Sequence, residues 1–302
     1  MGNMKSSYIE KIKTSFPIEN RFRNYGIYAA SDIKFENVGI ERVKSIKIYY
    51  PNEMILFPGK KYPLVIMVNG TGFEYFKYEP TLKHLSSWGF IVAGNDDPST
   101  AFGDSTVKTL EYLLNLNNSN NSIFYNKIDI EKIGLSGHSQ GGCGVFNAIT
   151  KHDKLSKYFK CAFASSTTTK TLIEKWNLAP FKYEPELVNI PIMMVVSNGN
   201  GDKAICPFNE TKENYDKIPK KIKKVLGVRK GVDHGDMLVA HDPYMTAWFC
   251  YILLNDSEAG KAFCGNDAEL LKNDNWENCE IITVFQEPQK RGLVIPELIF
   301  TR

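Results

Sequence analysis

Gly137-His138-Ser139-Gln140-Gly141 sets one hydroxyl between two glycines, each two residues away from it. The run before it, KIGLSG (132–137), is apolar enough for a buried strand, and CGVFNAITKH (143–152) after it has helical spacing. A strand that turns at once into a helix forces its central residue into strained backbone angles. A Cβ on the flanking residues would then meet neighbouring strands. The result is a serine hydroxyl held out of the sheet above a helix N-terminus, which suits nucleophilic attack on a carbonyl. A glycine-rich turn with an incidental serine is the bland alternative, and the strand–turn–helix context weighs against it.

A serine hydroxyl needs a base, and the base needs an orienting acid. Of five histidines, His138 lies inside the elbow and points away from the hydroxyl, while His84 and His152 fall on helices. His234, in GVRKGVDHGDM, follows the last apolar run and is the first choice; His241, just before a helix, is its rival. For the acid, Asp202 is the carboxylate in the loop NGNGDKAICP after IPIMMVVS (190–197). Asp233 adjoins His234, and neighbours on an extended chain face opposite ways, so it is set aside. The order Ser139, Asp202, His234 is the one a strand–helix sheet of this type requires. An oxyanion would be met by the backbone N–H of Gln140 and by one from the loop NGTGFEYF, with Thr71 first and Gly72 next.

These residues must be positioned by buried strands. YPLVIMV (62–68), GFIVAG (89–94), KIGLSG, KCAFAS (160–165), IPIMMVVS and KKVLGV (223–228) are continuously apolar, as strands covered on both faces are. Helical spacing recurs between them in PTLKHLSSW (80–88), STVKTLEYLLNL (105–116) and CGVFNAITKH. DPYMTAWFCYILL (242–254) adds a late helix, with Asp242 expected as its N-cap and Pro243 in its first turn. DIKFENV and ERVKSIKIYY alternate and predict an antiparallel hairpin at the sheet edge. The expected architecture is α/β: a doubly wound, mostly parallel sheet with an antiparallel N-terminal edge and helices on both faces. Without a linker to divide it, the chain reads as one domain over 1–302, with extensions at 1–25 and 280–302.

Composition excludes more than it selects. With 302 residues, 43% hydrophobic and 24% charged, the chain is ordinary for a globular protein, and a net charge of +3 is too small to argue for nucleic acid. The basic stretch DKIPKKIKKVLGVRK (216–230) reads as a solvated edge entering a strand. No apolar run is long enough to span a bilayer, and MGNMKSSYIEKIKTSF does not resemble a signal peptide. The expectation is therefore cytoplasmic, or secreted if a leader was removed. MGNMKS also fits the pattern for myristoylation at Gly2. Cys143, Cys161 and Cys250 read as small buried hydrophobes, Cys206 is undecided, and no pair has zinc-site spacing.

Taken together, VIMVNGTGF, SSWGFIVAGND, IDIEKIGLSGHSQGG and the Asp and His loops resemble the α/β-hydrolase superfamily. Within it they are similar to dienelactone-hydrolase-like, cutinase-like and platelet-activating-factor acetylhydrolase-like esterases, from about residue 28 to 279. The resemblance implies a triad matching Ser139, Asp202 and His234. It implies turnover of a small-molecule ester, short-to-medium acyl or aryl, with no metal or cofactor. The segment AWFCYILLNDSEAGKAFCG through NWENC implies a C-terminal disulfide between Cys264 and Cys279, as in secreted cutinase-like members. Two departures speak against polyester cleavage: Gln140 stands where polyester-degrading cutinases carry methionine, and SSTTT (165–169) where they carry tryptophan. Phe73, Tyr75 and Trp176 are candidate rim residues of an open pocket, each read equally well as a surface aromatic. A catalytically silent binding protein of this fold, or an acyltransferase using the same triad, are the alternatives. The sequence leaves the oligomeric state open.

Overall fold

The computed structural model describes residues 10–283 and 298–301, so Gly2 lies outside the described residues. A hairpin, β1 (Ala30–Ile40) and β2 (Val43–Pro51), opens the sheet, as the alternation predicts. Strands β3 (Tyr62–Val68), β4 (Ile91–Asn95), β5 (Ile128–His138), β6 (Phe159–Ser165), β7 (Ile192–Ser197) and β8 (Lys224–Arg229) pair in parallel in the order 4-3-5-6-7-8. β2 joins antiparallel to β4 at one edge. The far edge was not foreseen: β9 (Trp276–Thr283) pairs antiparallel with β8, and β10 (Leu298–Thr301) with β9, giving one ten-stranded sheet.

The helices are α1 (Pro17–Arg23), α2 (Glu79–Ser87), α3 (Asp104–Asn118), α4 (Gln140–Thr150), α5 (Asn200–Ile205), α6 (Phe208–Lys217) and α7 (Asp242–Leu254), with shorter helical turns between. β3 shows why its apolar run does not alternate. Val65 and Met67 pack into the core formed with α1, α2 and α7, while Leu64, Ile66 and Val68 pack into the one formed with α3, α4 and α6. Both faces are dry, so every position favours an apolar side chain. α7 is apolar on every side for the same reason, with Trp248 and Phe249 fully buried.

Within the N-terminal extension, Phe22 and Glu19 of α1 are fully buried. Two details differ from expectation. Asp242 does not cap α7; His241 holds that position, and the Asp242 carboxylate is drawn inward to His84 Nδ1 at 2.9 Å. The basic stretch is not wholly solvated: Lys224 is buried and donates from Nζ to the carbonyls of Tyr215 and Ile218, each at 2.8 Å.

Candidate active site

The β5–α4 junction holds Ser139 at φ 59° and ψ −124°, a conformation a side-chain-bearing residue adopts only under constraint. The constraints are visible. Ser139 N–H donates to Ser165 O at 2.9 Å. A Cβ on Gly137 would lie 2.3 Å from Gly141 O, and one on Gly141 would lie 2.0 Å from Val68 O. Only glycine fits at either place, so the turn is fixed by its neighbours.

Asp202 sits in the first turn of α5, just past β7, and is fully buried. Its Oδ1 accepts from His234 Nδ1 at 2.6 Å. Its Oδ2 accepts from Ser197 N–H at 2.5 Å and from the Ser166 hydroxyl at 2.7 Å. Burial alone pushes this carboxyl up, but the bonds from His234, Ser197 and Ser166 outweigh it and hold the group below the usual carboxylate range. Ionised Asp202 only accepts, so His234 carries its proton on Nδ1 and leaves Nε2 to accept. Ser166, at φ 46°, was not singled out from sequence. It lies within SSTTT, and its left-handed backbone, beyond the end of β6, turns the hydroxyl toward the acid.

The histidine loop is anchored from two sides. Asp233, set aside as the acid, accepts through Oδ1 from His234 N–H at 2.8 Å and from Gly201 N–H at 2.7 Å, tying the His loop to the Asp loop. His138, expected to point away from the serine hydroxyl, donates from Nε2 to His234 O at 2.9 Å, with the two imidazoles 4.5 Å apart. Burial and the neighbouring His234 push His138 down to about 3, so it stays neutral and donates through one nitrogen. The rival His241 is buried and bonded through Nδ1 to the Ser165 hydroxyl at 2.8 Å. Among the described residues the Ser139 hydroxyl makes no hydrogen bond. Contacts of this kind often close only around bound substrate.

The loop after β3 abuts the elbow, since a Cβ on Gly70 would lie 3.1 Å from His138 O. Gly70 N–H is engaged by the buried Tyr78 hydroxyl at 2.7 Å, and Phe73 N–H donates back to Gly70 O at 3.1 Å. Thr71 N–H has no acceptor among the described residues, and Gly72 is exposed at φ 67°. Gln140 opens α4, where N–H groups lack helical acceptors, and its side chain is pinned by Nε2 to Pro98 O at 3.0 Å.

Of the rim candidates, Phe73 is 37% exposed beside Thr71, with Lys77 Nζ 4.4 Å over its ring. Tyr75 turns to the core and packs on Gly94. Trp176 is 64% exposed, with no described contact to Ser139 or His234. No disulfide joins Cys264 and Cys279 in this structure: the Cys279 thiol is buried near Gly227, while the Cys264 thiol lies 3.1 Å from the Tyr251 hydroxyl. Asp202, Cys206 and His234 offer ligand atoms within 4.8 Å of one another, the spacing of a metal triad. Asp202 and His234 are already bonded to each other, and burial pushes the Cys206 thiol well up, so a cation there would compete with protons.

A parallel sheet carrying an elbow serine, with a paired Asp and His on later loops, defines an α/β-hydrolase-type chain. The family described as PETase, PET hydrolase-like, matches residues 38–280, and the chain belongs to it. That family is an α/β-hydrolase-type serine esterase family related to cutinase and dienelactone hydrolase. No curated protein matches the chain. Among the described residues, no helix is long and apolar enough to cross a membrane.

Proposed function

We propose that the chain is a serine esterase in which Ser139 attacks an ester carbonyl, with His234 as base and Asp202 as orienter. The observation that carries this reading is the 2.6 Å bond from His234 Nδ1 to a buried, ionised Asp202, alongside a serine strained to φ 59°. Nε2 of His234 takes the hydroxyl proton as Oγ bonds to the carbonyl carbon, then returns it to the leaving alcohol. Water next attacks the acyl-enzyme by the same route and releases the acid. Asp202 stays charged throughout and steadies the imidazolium. Thr71 N–H and Gln140 N–H hold the oxyanion, each contributing on the order of a hundredfold in rate.

The substrate is a short-to-medium acyl or aryl ester of low molecular weight. The family's description names a polyester, but this chain has a pinned amide, Gln140, next to the nucleophile. Buried small polar residues, Ser165 to Thr169, stand where a polyester-binding aromatic would be expected. Ser139→Ala is expected to abolish p-nitrophenyl butyrate turnover and fluorophosphonate labelling while circular dichroism stays unchanged. Turnover that survives this substitution would sink the proposal. A fluorophosphonate that never labels the native protein would favour a silent binding protein instead.

A further inference from the structure

Ile55, Leu56 and Phe57 are consecutive in the loop from β2 to β3, and each is more than half exposed. The loop enters the sheet at the amino end of β3, opposite the candidate active site. Side chains this apolar ordinarily fold inward, because exposure forfeits the gain from burial. Here the backbone holds them out. Met54 is buried and anchors the start of the tip. Lys60 N–H donates to Phe57 O at 3.2 Å, closing a turn over Pro58 and Gly59. Lys127 Nζ donates to the carbonyls of Phe57 at 2.7 Å and Pro58 at 3.3 Å, which ties the turn to the segment entering β5. Ile123 and Tyr125 of that segment are exposed as well. On the other side, Lys60 Nζ donates to the Tyr28 hydroxyl at 3.1 Å, and Asn52 N–H to Ala29 O at 2.7 Å. Both bonds lie next to Ile27, which is 88% exposed. Hydrogen bonds thus join three exposed apolar segments into one face.

The charge on this face is positive. Lys60 and Lys61 are exposed directly behind the tip and form no ion pair among the described residues. Glu53 acts on Lys60 and offsets one charge. Farther along, Asp32 pairs with Lys47, Asp129 with Lys132 and Glu131 with Lys160, so those carboxylates are already matched. We propose that the face docks on an anionic lipid bilayer, with Leu56 and Phe57 entering the headgroup boundary and Lys60 and Lys61 meeting lipid phosphates. A bilayer offers an apolar layer and a negative surface within about 5–10 Å of each other, which is what this tip and its lysines need. Tyr125 suits the same boundary, with an apolar ring and a hydroxyl for water. A second copy seated two-fold on this face would bring the lysines toward their own counterparts, and like charges oppose that. Docking this way turns the candidate active site toward water, so lipid serves as the support and not as the ester.

The test is sedimentation of the intact protein with extruded vesicles, of phosphatidylcholine alone and of an equal mixture with phosphatidylglycerol. Binding is expected to the mixture, and it should weaken on phosphatidylcholine and in high salt. Leu56→Ser and Phe57→Ser should each lower the partition coefficient about tenfold. Lys60→Gln and Lys61→Gln should each lower it about fivefold on the mixture and leave binding to phosphatidylcholine unchanged. Phe76, as exposed as Phe57 but at the opposite end of the sheet, is the control, and Phe76→Ser should change nothing. Melting temperature reports folding; should a tip variant unfold, the lysine variants decide. Failure of the wild-type protein to sediment with the mixture would overturn the proposal. So would wild-type binding in the lysine and tip variants, or an equal loss in Phe76→Ser. A dimer in light scattering that Leu56→Ser dissociates would assign the face to a second copy and overturn it too.

Discussion

Tyr78 supports the proposed reaction centre without being one of its reacting groups. Its hydroxyl accepts from Gly70 N–H, fixing the backbone immediately before the proposed oxyanion donor Thr71. Tyr78→Phe removes that acceptor and leaves a buried N–H unpaired, at a cost of about 1–3 kcal/mol. The loop can regain a partner only by turning the amide, which moves Thr71 N–H with it. Ester kcat should therefore fall about tenfold or more with KM little changed, since the donors act on the transition state. Steady-state kinetics beside a thermal melt check this, and an unchanged kcat would remove Tyr78 from the argument. His138 and Asp233 act similarly on the other side, holding His234 through its own main-chain carbonyl and N–H.

At the scale of elements, the β5–α4 junction is rigid because two backbones nearly touch. A Cβ on Gly141 would lie 2.0 Å from Val68 O, a main-chain atom that cannot rotate away. Gly141→Ala is accordingly expected to destabilise the fold by more than about 3 kcal/mol, or to prevent soluble expression. Urea titration measures it, and a loss below about 1 kcal/mol would show that β3 and α4 can separate. The same closeness explains the paired glycines of the motif. They keep neighbouring strands and the helix at contact distance, and the strain at Ser139 follows from that contact.

Across the whole molecule, buried histidines set how stability responds to pH. Burial holds His138 near 3 and His241 well below its usual value. Their unfolded forms bind protons that the folded forms refuse, so stability falls as pH drops below about 6.5. Asp202, held low in the fold, adds to this loss at the acid end. His84 has the opposite sign. Burial pushes it down, but Asp242 at 2.9 Å and the Asn24 carbonyl at 2.8 Å outweigh that, and it is raised. Its contribution is complete below the unfolded value of about 6.5 and is lost as pH rises through the folded one. Tyr25, Trp88 and Thr246 surround the pair, and α1, α2 and α7 meet there. A melting-temperature profile from pH 4.5 to 9 should peak near 6.5. In His84→Gln the alkaline limb should flatten while the acid limb remains; an unchanged alkaline limb would rule out His84 as its source.

Local chain chemistry determined the elements here. Continuous apolar runs have one stable environment, a sheet covered on both faces, and this made β3 and α7 readable to the residue. The glycine spacing around Ser139 is equally local, because the steric demand lies within five residues. Asp202 and His234 were expected from the strands that their loops follow, and the two side chains meet at 2.6 Å. What depended on distant contacts was not legible. The Ser166 hydroxyl reaches Asp202 from 36 residues away, and Tyr78 serves the β3 loop through a fold of the chain. Asp242 was expected to cap its own helix, but the tertiary structure supplied His84, a stronger partner 158 residues earlier.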